Sequence, residues 1–171
     1  MTETTAPVGF GHEAPYRGRT NEWYTPAYIT DALGTFDLDP CTSPKARVIA
    51  PNRFTIEDDG LNKPWVGRVW LNPPYGELTD RWLKKMSEHN NGIVLIFART
   101  ETKMFQKYVW DNASAIFFFY SRIKFLNEGA EPMGSAGAPS VLIAYDNKDS
   151  SVNYDILKSC GLKGKFINLR G

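Results

Sequence analysis

Between Gly92 and Ala98 the chain reads GIVLIFA, seven residues without a polar side chain. A strand this apolar has no face to give to water, so it belongs inside a sheet covered on both sides. GRVWL (ending at Leu71), AIFFFY (Ala115–Tyr120) and SVLIAY (Ser140–Tyr145) read as further strands. The segments between them carry helical spacing. Leu78, Trp82, Leu83 and Met86 fall on one helical face. Met104, Phe105, Tyr108 and Val109 mark another helix, with Thr100 as its expected cap. Upstream, PAYITDALG reads as a short helix capped by Thr25, with Pro26 in its first position and Gly34 at its end. FDLD, closed by Pro40, and RVIA, before Pro51, read as two short strands. Strands alternating with helices predict an α/β fold: a largely parallel sheet with helices on both faces. The Gly/Pro-rich NEGAEPMGSAGAP replaces the last helix, which permits an antiparallel final pair, Ala115–Tyr120 with Ser140–Tyr145.

The 171 residues suffice for one domain with a real core, and 42% hydrophobic against 23% charged residues is the balance of a folded chain. Residues 1–20, rich in Thr, Pro, Gly and Arg without periodicity, read as a flexible arm; residues 21–171 read as a single domain. A net charge of +1 does not mark a nucleic-acid binder by itself. Cys41 and Cys160 give neither a disulfide framework nor a zinc spacing, which suits a reducing, cytoplasmic setting. No run approaches a membrane span, and no signal peptide is visible.

The stretch that carries chemistry is VWLNPPYG. Asn72 sits at the end of a strand, where ligands of such sheets bind. Asn72 and Pro73 each precede a proline, which disfavours helical backbone at both, and neither Pro73 nor Pro74 has an N–H. The Pro73 carbonyl and the Asn72 side-chain oxygen become two acceptors on a stiff turn. Two acceptors suit a planar amine with two N–H donors, such as the exocyclic amine of a nucleobase, and Tyr75 offers a ring for the base to stack on. A base in a duplex reaches such a turn only when flipped out. A plain turn with a packed tyrosine is the competing reading.

A methyl donor needs its own pocket. NEWYTP offers a helix start for a carboxylate, and the rings of Trp23 and Tyr24 can pack on a sulfonium or an adenine. Asp39, at the carboxyl end of FDLD, can accept from an ammonium group; Asp59, in EDDGL, can bond an adenine amine or a ribose. Each also reads as an ordinary turn or solvated loop residue. Cys41 stands beside the same strand end, as a pocket residue or a small buried one.

NEWYTP, FDLDPCTSP, DDGL followed by Trp65, VWLNPPYG and RIKFL stand in the order seen in the phage-type DNA N6-adenine methyltransferase family, which this chain resembles from about Asn21 to Tyr145. The resemblance implies a Rossmann-like fold, S-adenosylmethionine as donor and adenine in DNA as acceptor. It makes Asn72, Pro73, Pro74 and Tyr75 the catalytic turn and places Trp23, Tyr24, Thr25, Pro26, Asp39 and Asp59 around the cofactor. The chain departs from the wider methyltransferase pattern in two places. DPCTSP stands where a glycine-rich loop is usual, and no acid follows RVIA to hold the ribose.

Gripping DNA requires cations. Arg122 and Lys124 lie in an aromatic stretch, FFFYSRIKF, from which Phe125 is expected to cover the flipped base. The segment after Asp155 carries Lys158, Lys163, Lys165 and Arg170 without an acid and reads as a second basic track. Base reading falls to Asn127–Pro139 and the N-terminal arm, because no stretch is long enough for a separate recognition domain. Cytosine N4, an RNA base or a protein amide would present the same planar amine. A binding module that has lost its cofactor is the non-enzymatic alternative.

Overall fold

The computed structural model describes residues 23–127 and 130–171; the proposed arm, 1–20, lies outside them. Seven strands form one sheet: β1 (Leu38–Asp39), β2 (Asn52–Arg53), β3 (Val69–Leu71), β4 (Gly92–Phe97), β5 (Ala115–Phe119), β6 (Ser140–Tyr145) and β7 (Gly164–Asn168). Their order across the sheet is β2-β1-β3-β4-β6-β5-β7. The first four run parallel. β6 lies antiparallel to both β4 and β5, and β7 antiparallel to β5.

Alternation along these strands feeds two cores. Trp70, Ile93, Leu95, Phe97, Ala115, Phe117, Leu142 and Ala144 face one side, where they meet Ile29 of α1 (Ala27–Asp31), Leu33 just beyond its end and Leu157 of α4 (Val152–Lys158). Val69, Leu71, Val94, Ile96, Ile116, Val141, Ile143 and Tyr145 face the other. There they meet Trp82, Leu83 and Met86 of α2 (Thr79–His89), Phe105 of α3 (Lys103–Phe105) and Val109 of the π-helical turn Gln106–Trp110. Helices therefore cover both faces, which is why β4 tolerates no polar side chain. Gly92 lets β3 and β4 approach: a Cβ there would stand 2.2 Å from the Val69 carbonyl oxygen. Among the described residues no helix is long and apolar enough to cross a membrane.

Several local expectations change. RVIA is not a strand; the edge strand is Asn52–Arg53, paired with β1 through Asn52 N–H to the Asp37 carbonyl (3.3 Å) and Phe54 N–H to that of Asp39 (2.9 Å). Thr102, not Thr100, caps α3, its hydroxyl oxygen accepting from the Phe105 N–H at 3.2 Å. Leu78 precedes α2 and is exposed. The segment after Asp155 is not a loose basic track. It completes α4 and then forms β7, with Arg170 donating to the Ser150 carbonyl at 2.6 Å. Ser140–Tyr145 is consequently not the closing strand.

Candidate active site

The chain passes from β1 outward to β2, then back across β1 to β3 and on to β4. Strand order reverses at β1, and a crevice opens where connections leave in opposite directions. Asp39 ends β1 and Asn72 follows β3, so both stand at this reversal. A cavity of about 960 Å³ lies there, lined among others by Trp23, Tyr24, Thr25, Asp39, Cys41, Asn72, Pro73, Pro74, Tyr75 and Phe125.

The turn after β3 is held from three sides. The Thr79 hydroxyl donates to the Pro74 carbonyl (2.8 Å) and accepts from the Gly76 N–H (2.9 Å), tying the turn to the start of α2. The Tyr75 ring stacks on Phe97 at 4.4 Å and 10°, and its hydroxyl oxygen accepts from the Phe97 N–H at the end of β4. The Asn72 side-chain NH2 donates to the Thr25 hydroxyl oxygen at 3.0 Å. That leaves the Asn72 amide oxygen as the acceptor end, and no described residue donates to the Pro73 carbonyl. Phe97 backs one face of Tyr75, while Tyr75 still lines the cavity.

Asp39 is 5% exposed. Burial raises its pKa to about 6, against the opposing pull of a Cys41 backbone hydrogen bond, a hydrogen bond with Thr42 and the charge on Arg53. Burial, with the Asp39 charge beside it, pushes the Cys41 thiol up to about 12, so this cysteine is no nucleophile at neutral pH.

Other expected residues stand differently. Thr25 does not cap α1: Pro26 precedes that five-residue helix, no side chain caps it, and the Thr25 hydroxyl is spent on Asn72. Pro26 is not part of the cavity wall. Asp59 is also outside the wall. Gly60 seats its loop so closely on Pro40 that a Cβ would come 2.1 Å from the Pro40 oxygen, and the exposed Asp59 carboxylate accepts instead from Asn62 at 2.6 Å. Phe125 is 4% exposed, with its ring 5.4 Å from that of Trp23, so it sits in the wall rather than standing clear as a cover. Arg122 and Lys124 are exposed and outside the cavity; Arg122 donates to the Ala136 and Gly137 carbonyls, each at 3.3 Å.

Sequence reasoning passed over the residues that follow Cys41. Thr42, Ser43, Lys45, Ala46 and Arg47 all line the cavity. Their loop is shaped without glycine: Arg53 donates to the Ser43 carbonyl (2.9 Å) and the Ala46 carbonyl (3.4 Å), and Thr42 N–H to the Phe54 carbonyl (3.0 Å). Their place just after β1 was the available signal, because loops at strand ends carry the ligand. Leu126 and Asn127 form part of the opposite wall, and Leu126 exchanges both backbone hydrogen bonds with Tyr24, at 3.0 and 2.9 Å.

The structure is a mixed α/β sheet whose reversal point carries a cavity lined by Asn72, Pro73 and the buried Asp39. The chain belongs to the DNA N-6-adenine-methyltransferase (Dam) family, whose model matches residues 16–160. That membership implies methyl transfer to adenine, with DNA as the substrate. No curated protein and no solved structure matches the chain significantly.

Proposed function

We propose that the chain transfers a methyl group from S-adenosylmethionine to the N6 amine of an adenine turned out of DNA into the cavity. The observation that carries this reading is the pair of acceptors, Asn72 amide oxygen and Pro73 carbonyl, on a braced turn in the same cavity as Asp39. A Rossmann-like, single-domain reading of the sheet belongs to the same proposal.

The cavity suits the donor. Asp39 is a buried carboxylate at the mouth of β1 whose ionisation costs desolvation, and a ligand ammonium would offset that cost. Asp39, Cys41, Trp23 and Tyr24 would hold the donor, and bound there it supplies an electrophilic methyl group. The chain's own residues act on the acceptor. Asn72 and Pro73 take hydrogen bonds from the two amine protons, which raises electron density on a nitrogen whose lone pair is spread into the ring and aims it. Tyr75 backs the base and is itself kept in place by Phe97. Arg122 and Lys124, exposed and outside the cavity, supply charge for phosphates, and the segment 127–139 reads neighbouring bases.

The test is single-turnover transfer from labelled S-adenosylmethionine to DNA, with nucleoside mass spectrometry to identify the product. Asn72→Ala removes one of two acceptors and should slow transfer roughly a hundred- to a thousandfold, while the donor still raises the melting temperature as in wild type. An Asn72→Ala protein as fast as wild type removes the turn from the chemistry.

A further inference from the structure

Resting on that function, we propose that Thr25 is a positioning residue for Asn72, holding its side-chain amide in the pose whose oxygen end meets the substrate amine. The two ends of an asparagine amide have nearly the same shape and opposite polarity. Turned by 180°, Asn72 would present N–H donors to an amine that itself offers N–H donors, and the contact would repel. Bracing of the turn by Thr79 and Tyr75 fixes the backbone but leaves this side-chain rotation open. In the structure the Asn72 NH2 donates to the Thr25 hydroxyl oxygen at 3.0 Å, which ties down the nitrogen end and leaves the oxygen end for the base.

Thr25 is itself fixed. Its neighbour Tyr24 is paired in both directions with Leu126, and Phe125 packs against Trp23. The segment 23–25 is thus strapped to the far cavity wall, and the hydroxyl that orients Asn72 comes from 47 residues away. This arrangement also accounts for a threonine before Pro26 that caps nothing.

The experiment is a double-mutant cycle on single-turnover transfer to DNA. Thr25→Val keeps the shape and removes the hydroxyl; it should lower the rate constant by about tenfold, the worth of one hydrogen bond, with DNA affinity and the donor-induced melting shift near wild type. Thr25→Ser should restore most of the rate. In an Asn72→Ala background Thr25→Val should have no further effect, because the residue it orients is gone. A Thr25→Val protein with wild-type transfer overturns the assignment. So does a full additional loss in the Asn72→Ala background, or a Thr25→Val protein that loses the donor-induced shift, which would make Thr25 part of the donor site. If Thr25→Val fails to fold, Thr25→Ser decides: a rate as low as that of Asn72→Ala overturns the proposal, and a near-normal rate upholds it. Wild-type protein that methylates nothing overturns the function and this role together, whereas an impaired Asn72→Ala beside an unimpaired Thr25→Val overturns this role alone.

Discussion

Replacing Asp39 by Asn should stabilise the ligand-free protein at neutral pH and weaken its response to the methyl donor. The carboxyl group is 5% exposed, and its pKa rises from the ordinary 3.8 to about 6 on folding. A carboxyl that holds its proton more tightly when folded gives stability that is fully present below pH 3.8 and is lost as pH rises through about 6. A rise of that size, at roughly 1.4 kcal/mol for each pH unit, puts the loss at about 3 kcal/mol by pH 8. An asparagine never ionises but offers one acceptor oxygen where the carboxylate offers two, so the expected net gain is about 1–2 kcal/mol. Denaturant unfolding of wild type and Asp39→Asn between pH 4 and pH 8 measures it: the gap should open through pH 4–6 and then level off. The donor reverses the ranking. Its ammonium group pairs with an ionised Asp39, so the wild-type melting shift with S-adenosylmethionine should grow from pH 5 to pH 7, while Asp39→Asn shows a small shift without that trend. An Asp39→Asn protein less stable than wild type at pH 8, or a stability gap constant from pH 4 to 8, would refute the claim that desolvation dominates this carboxyl.

Two further outcomes follow from the fold. Tyr75→Phe keeps the ring but strands the Phe97 N–H at the end of β4; unfolding experiments should show a loss of about 1–3 kcal/mol, with DNA affinity little changed, and unaltered stability would mean that the hydroxyl anchors nothing. Truncation after Asp155 removes the fully buried Leu157 and all of β7, so the cooperative thermal transition should disappear; a truncated protein melting like wild type would show that the seventh strand is dispensable.

The chain displays β3 to β6 openly, because strands covered on both faces must be apolar along their whole length. The turn Asn72–Tyr75 is equally legible: proline restrictions are local and hold in any fold. Edge strands left no such mark. In β7, Lys165, Ile167 and Asn168 are exposed, so GKFIN lacks a buried pattern and reads as a basic tail. β2 is two residues held by backbone hydrogen bonds to the β1 segment, and the more apolar RVIA drew the assignment away from it. Asp39 was visible as an acid at a strand end, but its raised pKa was not, since desolvation comes from neighbours distant in sequence. Thr25 marks the boundary most clearly. Thr-Pro before a helical stretch is a capping signal by every local rule, and local rules cannot weigh a hydrogen bond across 47 residues. Only once the sheet brings the end of β3 beside the segment before α1 does that hydroxyl acquire Asn72 as its partner, and the partner, not the propensity, decides what the threonine is for.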